Sequence, residues 1–308
     1  MIDLHHDLLS IMYYSYLKND YSYLKEWVKC FREDNVSGLL ANLYFMNKKE
    51  MALEIGDDRE INVVDMFKKS TEMFKEYLPN INVIFSIEGC DYIKDINELE
   101  ELYNLGLRNI LLVWNNPNRY GSGNKDSYGL TNAGREFLIK AINLGISIDL
   151  SHMNKNTFYD TIDLIREQKV LGKDVKVIAS HSNCFEICHH KRNLDDDQIK
   201  ALGSVGGLLG LVSYSGFVRD DNDSEDLRDV YLKHINKAVD MLGIDNVCVS
   251  SDDMTFAKPL FDEEYLMTFD YNNINNELRK LLSRKYNEEE IDKIMYKNIY
   301  NRLFKENI

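Results

Sequence analysis

The chain has 308 residues, 44% of them hydrophobic, and a formal net charge of −14. That length and apolar content suffice for a large core within one domain spanning 1–308. The acidic balance argues against nucleic-acid or anionic-membrane partners, which are held by clustered Lys and Arg, and it suits a protein that holds divalent cations.

In chain order, short β-branched runs alternate with longer amphipathic stretches. The expected strands are 2–4, 39–45, 83–87, 109–113, 147–150, 177–180, 208–212 and 247–251. Between them, 61–78 reads as a helix with Val63, Phe67, Phe74 and Leu78 on one face, and 132–144 as another with Thr131 as N-cap. Asp195 followed by Gln198 resembles a capping box. Gly145, Gly203 and Gly243 each follow a helical stretch and precede a strand, where a left-handed C-cap is expected. Eight βα units predict a (β/α)8 TIM-type barrel, with 262–286 and 288–304 as additional C-terminal helices. No basic segment with an apolar run behind it opens the sequence, and no apolar run is long enough to span a membrane. Five scattered cysteines, Cys30, Cys90, Cys184, Cys188 and Cys248, read as reduced thiols, so a cytoplasmic protein is expected.

A barrel of this type builds its active site at the C-terminal ends of its strands. The residues there are His5 and Asp7, Glu88, Trp114, His152, His181 and Asp252. Taken singly, each has an ordinary structural account: His152 and His181 as core histidines, Glu88 as a capping acid, Asp252 as a loop carboxylate. Together, six metal-capable groups at one barrel mouth would desolvate or repel one another without a cation. The remaining histidines, His6, His189, His190 and His234, read as loop or helix-surface residues.

These residues carry a resemblance to the membrane dipeptidase, or renal dipeptidase, family of zinc metallopeptidases with amidohydrolase-type barrels. The matching motifs are Asp3-Leu4-His5-His6-Asp7, Ser86-Ile87-Glu88-Gly89, Ile148-Asp149-Leu150-Ser151-His152 and Ala179-Ser180-His181-Ser182-Asn183. Lys191-Arg192-Asn193-Leu194, Gly206-Gly207-Leu208-Leu209-Gly210 and Val249-Ser250-Ser251-Asp252 follow in the same order as in the family.

The resemblance implies a dipeptidase with two zinc ions per subunit. His5, Asp7 and Glu88 would hold one ion, and Glu88 would bridge to a second completed by His152 and His181. A metal-bridging hydroxide would attack the peptide bond of a free dipeptide, with Asp252 as general base and acid. Arg192 would receive the substrate's terminal carboxylate, which its planar guanidinium fits. Relatives of this kind are often homodimers, but no helix pattern here identifies an interface.

Three departures from the family pattern stand out. Where the family carries a substrate-contacting histidine after the fourth strand, this chain has Val113-Trp114-Asn115-Asn116. Trp114 is then expected to wall the pocket or stack on the substrate, and Asn115 or Asn116 to supply the missing hydrogen bond to the substrate. The acid-rich motif after the last strand is reduced to Asp252-Asp253-Met254-Thr255, and Leu4 replaces a glycine. The alternatives are hydrolysis of an N-acyl-amino acid, lactam or lactone on the same scaffold, or a catalytically silent metal-binding relative.

Overall fold

The structure, a computed structural model, describes residues 1–33, 36–57, 59–255 and 266–305. Eight parallel strands follow one another in chain order: β1 (Ile2–His6), β2 (Gly38–Tyr44), β3 (Asn82–Glu88), β4 (Leu107–Leu111), β5 (Ser147–Asp149), β6 (Val177–Ala179), β7 (Leu208–Val212) and β8 (Val247–Ser250). Helices occupy the connections, which makes a TIM-type α/β barrel with extra C-terminal helices. Each strand is buried on both faces, by helices outside and by packed side chains inside, and this is why the sequence writes them as near-continuous apolar runs. Every expected strand is present, with ends displaced by at most two residues.

The helices begin where side-chain acceptors can satisfy free N–H groups. Thr131 accepts from Gly134 N at the start of Asn132–Leu144, and Asp195 with Gln198 forms the expected capping box. The 61–78 expectation becomes Val63–Tyr77, capped by Asn62. Gly145 is a left-handed C-cap, whereas Gly243 has positive φ with an extended ψ. Gly203 departs from expectation: it lies inside the helix Asp196–Ser204, and the positive φ of +69° falls on Gly206 instead. All five cysteines are free and buried, and no helix among the described residues is long and apolar enough to cross a membrane.

The barrel floor is a separate apolar layer. Ile2, Leu4, Leu40, Ile84, Ile178, Leu208 and Cys248 meet Ile299, Leu303 and Phe304 from the helical run after Glu288–Asp292, in which Leu303 and Phe304 belong to a wide-turned segment, Tyr300–Phe304. The other expected C-terminal helix is formed over Ile274–Leu282; residues 262–265 of that expectation lie outside the described residues.

Two sheet irregularities shape the barrel mouth. Asp3 pairs with Leu39 and His6 with Ala41, so β1 spends three steps against two on β2. The extra residue breaks the inward–outward alternation. Leu4 reaches the floor and His5 the mouth, while His6 turns outward into a box of Trp27, Phe31 and Tyr271. Second, no backbone ladder among the described residues pairs β8 with β1. Asp252 N donates to His5 O across that seam at 3.1 Å.

Two histidine expectations are thereby corrected. His6 is fully buried, and so is His234, which accepts from Cys184 N at 3.1 Å and meets Val218 O at 2.8 Å. Burial lowers His6 to about 3, with the nearby His5 adding to it, and lowers His234 to about 4. Both are neutral in the folded chain, whereas the unfolded chain protonates them below about pH 6.5. The unfolded state therefore binds more protons between roughly pH 6.5 and 4, and stability is lost as the pH is lowered through that window, by up to about 1.4 kcal/mol per unit for each histidine. The urea midpoint of His234→Gln should vary less steeply with pH in that window than that of the wild type. Equal slopes would mean that His234 does not stay neutral.

Candidate active site

The strands deliver their C-terminal residues to one mouth. β1 presents His5 and is followed by Asp7, β3 ends in Glu88, and β6 is followed by Ser180 and His181. His152 lies three residues beyond β5 and Asp252 two beyond β8. Both have positive φ, +69° and +51°, an unfavourable setting for residues with a Cβ that recurs where side chains must be aimed.

Glu88 is the meeting point. Its Oε1 stands 2.7 Å from His152 Nε2 and 3.6 Å from His181 Nε2, and its Oε2 stands 3.4 Å from His5 Nε2. His5 Nε2 also faces Asp7 Oδ1 at 3.7 Å and Asp252 Oδ1 at 3.8 Å. The expected ligand residues are thus together, with Asp252 beside them. Each ring is held from behind: Ser180 Oγ lies 3.3 Å from His5 Nδ1 and 2.8 Å from His181 Nδ1, and Asn115 Oδ1 lies 3.1 Å from His152 Nδ1.

Charge is concentrated where water is scarce. Burial alone would lower His5, but the carboxylates of Glu88, Asp252 and Asp7 outweigh it and push it up to about 10. Burial also opposes ionisation of Glu88, yet His152 and His5 hold it well below the usual carboxylate range. Asp7 is pushed up to about 8 by burial and by the charge on Glu88, and Asp252 is raised for the same two reasons. Burial, with Arg192 nearby, lowers His152 to about 4.

A cation fits this donor set. His5 Nε2 and Glu88 Oε1 are buried without an aligned hydrogen bond, and His152 Nε2 and His181 Nε2 face each other at 2.9 Å. The proton that His152 Nδ1 donates to the Asn115 carbonyl leaves the lone pair of its Nε2 inward. Such lone pairs and carboxylate oxygens repel when empty and are typical ligands for zinc. Among the described residues three groups bring ligand atoms close enough to share an ion: His5 with Asp7 and Glu88, Glu88 with His152 and His181, and His5 with Asp149 and His181, where Asp149 is already engaged by the Ser151 and Ser180 amides.

Above these residues opens a cavity of about 860 Å³, walled by Tyr44, Trp114, His190, Arg192 and Phe217. Trp114 packs on Tyr44 with centroids 4.7 Å apart, and both rings line the cavity. Asn115 also lines the cavity, and its side-chain carbonyl faces the His152 ring. Arg192 is only 4% exposed, and its guanidinium lies 5.6 Å over Phe217 and donates to His181 O at 3.3 Å. His189 is exposed and paired with Asp220, as a surface histidine should be. His190 lies in a loop as expected and is half-buried: it stacks on Phe217 and accepts from Arg192 N.

Three contributors were missed from sequence. Asn42 Nδ2 donates to Asp7 Oδ1 at 2.9 Å and to Glu88 Oε2 at 2.7 Å, spacing two carboxylates that would otherwise repel. Its signal was a lone amide inside the apolar run of β2. Ser180 and Asp149 lay inside quoted motifs; Asp149 accepts from Ser151 N and Ser180 N, both at 3.0 Å, and so fixes the loops that carry His152 and His181.

Comparison with known proteins agrees with this geometry. The chain is 34% identical over 182 residues to an uncharacterised protein in the pqqA 5′ region of Klebsiella pneumoniae, covering 55% of this chain and 64% of that one. It is 30% identical over 169 residues to an uncharacterised protein in the PQQ-III 3′ region of Acinetobacter calcoaceticus, covering 51% of each. The chain thus spans between 51% and 64% of the length of these relatives. Its fold is similar to that of a metallo peptidase from Rhodobacter sphaeroides liganded with a phosphinate mimic of L-Ala-D-Ala, with a TM-score of 0.78, 22% identity and coverage of 98% of this chain and 97% of that one. The family of membrane dipeptidases, peptidase family M19, matches residues 28–307, a stretch that begins after His5 and Asp7. With a match over that much of its length, the chain belongs to the membrane dipeptidase family.

Proposed function

We propose that this protein is a metal-dependent dipeptidase that works with two zinc ions. The observation that carries the reading is the convergence of His5, Asp7, Glu88, His152 and His181 beneath one cavity, with Asp252 beside them and Arg192 in the wall. His5, Asp7 and Glu88 would hold one ion, and Glu88, His152 and His181 the other. When bound, such a pair polarises a carbonyl oxygen and brings the pKa of water towards about 7.

The chain's own residues supply the rest. Asp252, raised by burial, takes the proton of the attacking water and passes it to the departing amine. Arg192 receives the dipeptide's terminal carboxylate; its buried guanidinium has an Nε without a partner. Trp114 and Tyr44 close the wall and keep bulk water from the reacting bond. Asn42 holds Asp7 and Glu88 at fixed separation, and Asn115 sets the tautomer of His152.

Elemental analysis of purified protein should find two divalent ions per chain, predominantly zinc, and Glu88→Gln should lose both. A fully active protein with one ion or fewer discards the two-ion reading. Asp252→Asn should keep its metal and lose about 10²–10⁴ in kcat, the usual range for losing acid–base help. Near-normal turnover would assign proton transfer to another group. Amidation of the dipeptide should cost roughly 2–5 kcal/mol in kcat/KM, the penalty for leaving a buried charge unpaired. In Arg192→Met, the free acid and the amide should become nearly equal substrates. If the wild type cleaves amides or tripeptides equally well, hydrolysis of N-acyl-amino acids or lactones becomes the better reading.

A further inference from the structure

The seam between β1 and β8 lacks a backbone ladder, yet it separates His5 from Asp252, whose side chains stand 3.8 Å apart. The Asp252 N to His5 O hydrogen bond at 3.1 Å links their backbones at a single point, and a second set of contacts reinforces it. One buried carboxylate lies across the gap, and four donors converge on it. Asp3 Oδ1 accepts from Ser251 N at 2.8 Å and from His5 N at 3.3 Å. Asp3 Oδ2 accepts from Ser251 Oγ at 2.5 Å and from Tyr271 OH at 3.0 Å.

Asp3 and Ser251 have no solvent exposure. A buried carboxylate is costly unless its oxygens are satisfied, and here both are engaged by two donors each. The same oxygen binds the amide that carries the His5 ring and the amide immediately before Asp252. Asp252 has φ of +51°, so its backbone gains by relaxing once that hold is released. The hydroxyl that completes the set comes from far along the chain. Tyr271 is buried edge-on against Trp27 and Phe31, with centroids 5.0 and 5.6 Å away, and His6 closes the same box at 5.4 Å.

We propose that Asp3, held by Tyr271, is a positioning residue that clasps the β1–β8 seam and sets His5 and Asp252 in register for proton transfer and metal binding. The proposal rests on the reading of His5 as a ligand and Asp252 as the base. Asp3 touches neither substrate nor metal in this scheme and acts only through the backbone of its two neighbours.

The test compares Asp3→Ala, Asp3→Asn and Tyr271→Phe with the wild type, using dipeptide kinetics, calorimetric zinc titration of metal-free protein, and circular dichroism with urea unfolding. Asp3→Ala should lower kcat by about 10–100-fold with KM within about threefold, and weaken zinc binding about tenfold, the range for removing support behind a ligand. Asparagine can still accept from both amides while its NH2 pairs with the two hydroxyl oxygens, so Asp3→Asn should recover most of both losses. Tyr271→Phe should lose less than Asp3→Ala, in the same direction. A folded Asp3→Ala with wild-type kcat and zinc affinity overturns the proposal, as does an equal loss in the alanine and asparagine variants. If the alanine variant fails to fold, unchanged kcat and zinc affinity in Tyr271→Phe overturns it. A wild type that cleaves no dipeptide rejects the dipeptidase reading but not the clasp, because zinc affinity still reports on the seam.

Discussion

Glu88 brings one carboxylate to three imidazoles, and the layout of the barrel mouth follows from how its two oxygens are divided. Oε1 serves His152 and His181, while Oε2 serves His5 and accepts the Asn42 amide. Every other group nearby is arranged to make that division tolerable in a place where water cannot screen it. Ser180 sits behind two of the rings and Asn115 behind the third, so none can rotate away to find another partner. The result is a site assembled for positive charge before any arrives. Fixed donors with small reorganisation are what electrostatic catalysis requires.

The division of labour around Glu88 also separates two kinds of polar group in the barrel: groups that face the cavity and groups that hold them. Asp149 and Asn42 belong to the second kind, as backing that never reaches open space. Their burial makes them intolerant of neutral apolar replacement, since the amides and carboxylates they satisfy would be stranded.

The fold was legible because parallel strands buried on two faces write themselves as apolar runs, and Leu208–Val212 or Val247–Ser250 admit little other reading. The site was legible because a barrel of this type places chemistry at strand ends, so His152, His181 and Asp252 could be located by position alone. The misreadings have separate causes. Alternation along a strand assigns a face to each residue only while the register is regular, and the extra residue in β1 sends His6 outward into an aromatic box. His234 was misread for another reason: its partners, Cys184 N and Val218 O, are distant in sequence. Gly203 illustrates a third limit, since helix ends are set by which carbonyls find donors and Gly206 made the better turn. Sequence shows that Asn115 adjoins Trp114 but not that its amide oxygen faces the His152 ring.

The floor of the barrel has a consequence for how the chain comes to be folded at all. Its apolar layer is contributed partly by Ile2 and Leu4 and partly by Ile299, Leu303 and Phe304. During synthesis the first pair emerges long before the other three, so a nascent chain with all its strands already made still presents an open greasy base. Such exposed surface is what chaperones bind and what drives aggregation of stalled intermediates. Ribosome pausing or early termination just upstream of residue 299 would therefore yield a species with its mouth nearly complete and its underside adhesive, a natural target for quality control.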